Sequence, residues 1–142
     1  MINEFKGETR WLSNFAEVEI DYLGAKYKST EAAYQAQKTD SGTIRIIFTT
    51  LSANFAKHLG MNIKLRDDVK WDDIKLQVME DVNRLKFNQE PFKTQLLLTE
   101  NLELVEGNNW GDTYWGVCKG VGENHLGKIL MKIREELKNE SH

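Results

Sequence analysis

Two long apolar repeats at helical spacing constrain this chain more than any other feature. Ile74, Val78, Val82 and Leu85 recur along the stretch from Asp72 to Phe87. Leu126, Ile129, Leu130, Ile133 and Leu137 do the same in the last stretch of the sequence. Spacings of three and four residues lay apolar side chains along one face of a helix, which must then be buried. Asp72 and Asp73 suit the positive end of the first helix dipole, and the second helix is expected to start near Asn124. In a chain of 142 residues this leaves little room for extended sheet. The expected class is mainly α, an α+β fold with a few short β-strands, in one compact domain over residues 1–142.

Shorter elements fill the rest. Val18, Ile20 and Tyr22 alternate with Glu17, Glu19 and Asp21, as a strand with one buried face does. Leu23-Gly24-Ala25 turns it, and Lys26-Tyr27-Lys28 returns as a second strand. Ser29 is placed to cap a helix over about Thr30 to Thr39. Ser52 is placed to cap another that ends near Gly60, read as a C-cap. Pro91 suits the first turn of a short helix carrying Phe92, Leu96 and Leu97. Leu102 to Val105 is an ambiguous short strand. Arg10 to Phe15 and Glu106 to Gly122 fit neither period, and long irregular segments in compact domains often carry function.

Composition narrows the function. Nineteen basic residues face 22 acidic ones, a formal charge of −3. That disfavours an extended nucleic-acid footprint, which needs many cationic phosphate contacts, but allows a pocket for a single nucleotide. One cysteine, Cys118, forms no internal disulfide and reads as a buried structural thiol. His58, His125 and His142 are scattered, so no metal site is expected. No secretory signal opens the sequence and no apolar run of about 18 residues exists, so a cytoplasmic protein without membrane attachment is expected.

Four stretches carry candidate chemistry. Glu31 and Lys38 are seven residues apart, about 700° around a helix axis and about 10.5 Å along it. They would flank one ligand, with Tyr34 and Gln35 between them, or simply form a solvated polar face. In Arg10-Trp11-Leu12-Ser13-Asn14-Phe15, two aromatic rings bracket a Ser-Asn pair, which suits either base binding or a loop pinned in the core. In Asn108-Asn109-Trp110-Gly111-Asp112-Thr113-Tyr114-Trp115-Gly116, aromatic and polar residues interleave without a period. Such rings stack on nucleobases, and a fixed Asp bonds a ribose or polarises water. Gly120-Val121-Gly122-Glu123-Asn124 leads into the last helix, where amides either bind phosphate or are capped by Asn124. Arg134 is a phosphate ligand or a surface charge. The mixed runs Arg66-Asp67-Asp68 and Arg134-Glu135-Glu136 read as solvated faces.

Taken in order, these residues resemble a family. Trp11-Leu12-Ser13-Asn14-Phe15 and Ser29-Thr30-Glu31-Ala32-Ala33-Tyr34-Gln35-Ala36-Gln37-Lys38 resemble the opening signature of the NADAR, or YbiA-like, domain. Arg66 through Trp71, Val78-Met79 and Lys86-Phe87 resemble its central segments. Leu104-Val105-Glu106, Trp110-Gly111-Asp112, Tyr114-Trp115-Gly116, Asn124 and the run to Arg134 resemble its close. Ala32 departs from a histidine that many relatives carry directly after the glutamate.

The resemblance implies a compact, mostly helical N-glycosidase that cleaves a ribose C1–N bond without a cofactor. Implied substrates are ADP-ribosylated guanine, as a nucleotide or in nucleic acid, and early phosphorylated intermediates of riboflavin biosynthesis. Glu31, Trp71 and Asp112 match family residues needed for activity, and Lys38 matches a lysine proposed to act covalently at the sugar. On this reading Glu31, Lys38 and Asp112 are catalytic. Arg10, Trp11, Ser13, Asn14, Tyr34, Gln35, Trp71, Trp110, Trp115, Gly120 and Asn124 bind substrate. The chemistry fits these residue types: cleavage builds positive charge on the ribose, which a carboxylate stabilises, and a neutral amine attacks C1 of an opened sugar. A non-catalytic module that binds ADP-ribose or a nucleotide is the alternative, and a partner-binding scaffold a third.

Overall fold

A computed structural model of the chain describes residues 1–140; His142 lies outside them. Helices dominate, with two pairs of very short strands. The chain resolves into two compact units: residues 14–86, and residues 1–13 together with the described residues from 87 onward.

The unit of residues 14–86 begins with a hairpin, β1 (Ile20–Tyr22) against β2 (Ala25–Tyr27), antiparallel with Ile20 opposite Tyr27. Leu23 and Gly24 both take positive φ, 50° and 86°, the turn that matches the natural twist of two paired strands. Ile20 is buried between exposed Glu19 and Asp21, so the alternation reads as expected. Helix α1 (Thr30–Ala36) follows, and the Ser29 hydroxyl accepts from Ala32 N at 3.0 Å, the expected cap. All seven residues of α1 are buried. Ala32, Ala33 and Ala36 let neighbouring backbones approach, and α1 packs against the hairpin, α2 (Gly42–Phe48) and α3 (Ala53–Asn62). Helix α4 (Trp71–Phe87) runs as its periodicity requires, with Val78, Met79 and Val82 buried.

In the other unit, a 3-10 helix (Gly7–Leu12) sets Trp11 edge-on to Phe87, which in turn meets Phe92 edge-on. Helix α5 (Phe92–Leu98) packs on α6 (His125–Glu140). All five residues of the α6 stripe are buried. Each such side chain stabilises the fold by about 1.5–3 kcal/mol relative to exposure, before chain entropy is counted. Between α5 and α6 lie β3 (Gly107–Asn108) and β4 (Val117–Cys118), paired in parallel.

Several expectations change. Helix α1 ends at Ala36, so Lys38 lies in the turn beyond it. Helix α3 runs through Gly60 to Asn62; Gly60 is an internal residue, not a C-cap, and Ser52 makes no side-chain cap bond. Leu102–Val105 forms only a single bridge, Leu104 to Ile2. Helix α2, absent from the sequence reading, is capped by Ser41, whose hydroxyl accepts from Ile44 N. Its Thr43, Ile44, Ile46 and Ile47 are β-branched and disfavour helix locally, which hid it.

Candidate functional site

In the unit of residues 14–86 the candidate residues gather around α1. Asn14 sets its N-terminus: the Asn14 carbonyl accepts from Glu31 N at 3.1 Å. The Asn14 side-chain oxygen accepts from Thr30 Oγ1 at 2.9 Å and Asn83 Nδ2 at 3.2 Å. Asn14 Nδ2 reaches Met79 Sδ at 3.2 Å. The Asn14 side chain thus ties α1 to α4, an internal role that local-backbone bonding did not anticipate.

Glu31 is only 7% exposed. Gln35, one turn on, donates Nε2 to Glu31 Oε1 at 3.2 Å. Burying a carboxylate is costly unless hydrogen bonds and opposite charge compensate. Gln35 supplies the first, and Lys38 the second through its electrostatic coupling to Glu31.

Lys38 stays within range of Glu31 despite lying past the helix. Its backbone N–H donates to Gln35 O at 3.1 Å, and its carbonyl accepts from Arg66 N at 2.7 Å. Lys38 Nζ donates to Gly60 O at 3.3 Å, one of the last carbonyls of α3, which lack helical partners. Burial pushes the Lys38 amine below the ordinary lysine range, Glu31 opposes that, and Lys75 reinforces it. Lys75, held at 3.0 Å from Asp72, is a contributor the sequence did not single out. Its position one turn beyond Trp71 was the available signal.

Arg66 is no solvated charge. It grips Asp68 through two bonds of 2.7 and 2.6 Å, and its third nitrogen donates to Gln37 O at 3.1 Å. The fork pins the Gln37–Lys38 turn, and it holds the Asp68 carboxyl down to about 2. Trp71, 8% exposed, sits at the start of α4 with its ring 5.1 Å from that of Tyr34.

In the other unit, the irregular stretch is organised by two side chains. Asn108 Oδ1 accepts from Asp112 N at 3.0 Å while Asn108 Nδ2 donates to Asp112 O at 2.8 Å, closing a loop around Asn109, Trp110 and Gly111. Asp112 Oδ1 accepts from Tyr114 N at 3.1 Å and Trp115 N at 2.9 Å. Trp110 stands out at 61% exposed, whereas Trp115 packs edge-on to Tyr114.

The turn into α6 is already engaged. Asn124 N, His125 N and Leu126 N donate to the carbonyls of Gly116, Tyr114 and Trp115. Asn124, at φ 53°, bonds Glu106 N through Oδ1 and Leu104 O through Nδ2, so its side chain clamps the chain. Gly120, at φ 78°, is the turn glycine of this segment. Arg134 is buried and donates to Thr99 Oγ1 and Leu102 O, so it is not a surface charge. Arg10 accepts from Ser13 N through its carbonyl, which closes the 3-10 helix. Cys118 is buried, as expected. Among the described residues, no helix is long and apolar enough to cross a membrane, and no cluster of His, Cys, Asp and Glu could hold a metal ion.

Comparison with known proteins places the chain in a family. An N-glycosidase of Nostoc punctiforme is 34% identical over 134 residues, which cover 89% of this chain and 85% of that protein. A riboflavin biosynthesis protein of Vibrio vulnificus is 38% identical over 132 residues; the match covers 89% of this chain but 35% of that longer protein. The NMR structure of the Escherichia coli protein YbiA superposes with a TM-score of 0.84 at 32% identity, covering 99% of this chain and 89% of the other. The profile described as NADAR domain matches residues 3–138, and this chain belongs to that family.

Proposed function

We propose that this protein is an N-glycosidase that hydrolyses a ribose C1–N bond. The observation that carries the reading is the pairing in residues 14–86 of a buried carboxylate, Glu31, with a half-buried amine, Lys38, whose proton affinity is lowered by burial and by Lys75. Pure binding of a nucleotide needs neither group in that state. Loss of the base leaves positive charge on the ribose, and a carboxylate held at low dielectric stabilises it strongly. A lysine that sheds its proton more readily can attack C1 of the ring-opened sugar; the base nitrogen takes a proton and leaves as the C1–N bond breaks, and water then hydrolyses the resulting Schiff base to the free sugar and the lysine amine.

Trp71 and Tyr34 supply aromatic surface beside this pair. Asp112 is proposed as the second carboxylate of the reaction, with one oxygen held by two backbone amides. Trp110, Trp115, Trp11 and Arg10 are proposed substrate contacts, and so is Ser13. The name of the Nostoc relative, an N-glycosidase, favours this class of activity, and that of the Vibrio relative, a riboflavin biosynthesis protein, favours that pathway; an early riboflavin intermediate is the substrate class proposed first. ADP-ribosylated guanine is the other substrate class proposed. The proposed setting is cytoplasmic, in one domain spanning the chain.

The test is a mass-spectrometric screen of purified protein against both substrate classes, without added metal. Release of free base or of ADP-ribose from one of them is expected. Tight binding with no product after long incubation would instead make this a binding module.

A further inference from the structure

Helix α3 carries a glycine, Gly60, two residues before its end, where glycine is a poorer helix former than alanine. Its φ is ordinary, so backbone freedom does not explain it. The space does. A Cβ built on Gly60 would overlap Gln35 Oε1 and fall 2.6 Å from Gln35 Cδ and 3.1 Å from Gln35 Cβ. Gln35 is only 5% exposed, so its amide has no free surface to swing onto. Its Oε1 is buried with no hydrogen-bond partner, an arrangement folded proteins rarely tolerate. The other end explains it: Gln35 Nε2 donates to Glu31 Oε1, so the amino end of the amide faces the carboxyl group. The oxygen is thereby turned against the bare Cα of Gly60. The same glycine offers its carbonyl to Lys38 Nζ.

We propose that Gly60 and Gln35 form a positioning pair: the missing side chain of Gly60 admits the Gln35 amide that orients the Glu31 carboxylate, while the Gly60 carbonyl orients the Lys38 amine. Gly60 thus acts on both groups from one point on α3 without touching substrate. The proposal rests on the N-glycosidase reading for its consequence, but the packing it describes is testable without turnover.

The experiment compares the native chain with Gly60→Ala, Gln35→Ala and the double variant. Gly60→Ala is expected to lower Tm and to lower kcat by about a hundredfold, with KM changed far less. In the Gln35→Ala background the same substitution is expected to raise Tm, because the clash is gone and alanine favours helix. There kcat stays low, since no amide reaches Glu31. Recovery of kcat together with Tm in the double variant overturns the proposal, because Gly60 would then only avoid a clash. So does a Gly60→Ala protein with native Tm and kcat. An independent readout follows the Gln35 side-chain amide by NMR. Glu31→Gln should shift its resonances in the native background and leave them unmoved in Gly60→Ala; an equal shift in both sinks the pair. If the native chain cleaves no ribosylated compound, the function reading fails, while the melting and NMR arms still decide the pair.

Discussion

The α1 cluster and the loop before α6 hold their acidic residues by opposite means. Glu31 is buried, and packed elements hold it: the Asn14 turn at its own backbone, Gln35 one turn on, and α3 behind Gln35. Asp112 is half-buried, and a closed ring of side-chain-to-backbone bonds from Asn108 holds its peptide. Packing fixes the first carboxylate in a low-dielectric setting, where each charge matters more. Local hydrogen bonds fix the second at a half-buried position in its loop. The difference teaches that an acid can be immobilised by a protein interior or by a loop's own polar groups, and only the first also changes the chemistry of neighbouring amines.

Substitutions should separate the two modes, beginning with the largest effect. Glu31→Gln keeps shape and removes charge, and turnover should fall about a thousandfold with Tm nearly unchanged or raised. Turnover near native in that variant would strip the α1 cluster of its role. Lys38→Met should cost about a hundredfold in kcat and abolish any borohydride-trapped adduct at that position. In the native chain the rate should rise with pH as Lys38 loses its proton, at a midpoint below the ordinary lysine value, because burial favours the neutral amine.

Asn108→Ala should open the loop and reduce activity about tenfold, with loss concentrated in kcat if Asp112 has lost its orientation. A purely local role would leave kinetics untouched and raise only protease sensitivity between 108 and 112. Lys75→Met removes a repelling charge from Lys38, so the rate midpoint should move up and neutral-pH turnover fall a few-fold. No displacement of the profile would mean that burial alone sets the Lys38 amine. Smallest of all, Ser29→Ala should cost about 1 kcal/mol in denaturant unfolding by freeing Ala32 N, with the chemistry intact.

Much of the frame was legible in the sequence because its signals are local. The α4 and α6 stripes, the hairpin alternation and the Ser29 cap each depend on residues a few positions apart. What failed depended on distant partners. Gln37 and Lys38 are good helix formers, so nothing nearby announced that α1 stops at Ala36. Arg66 takes the carbonyl of one through its side chain and of the other through its amide. Gly60 looked like a C-cap because its true reason is a side chain 25 residues earlier in the sequence. Glu31, Lys38 and Asp112 stood out from their residue types and spacing, whereas Lys75, and the part Asn108 plays within its stretch, entered only once the fold showed what they hold.

The exposure of Trp110 has a practical consequence. Trp71 is enclosed and Trp11 and Trp115 are partly covered, so Trp110 presents the most accessible indole of the four. A neutral collisional quencher should therefore dim that fluorophore first. Any molecule that settles over the 108–112 loop would shield it, giving a label-free optical signal of occupancy at that loop.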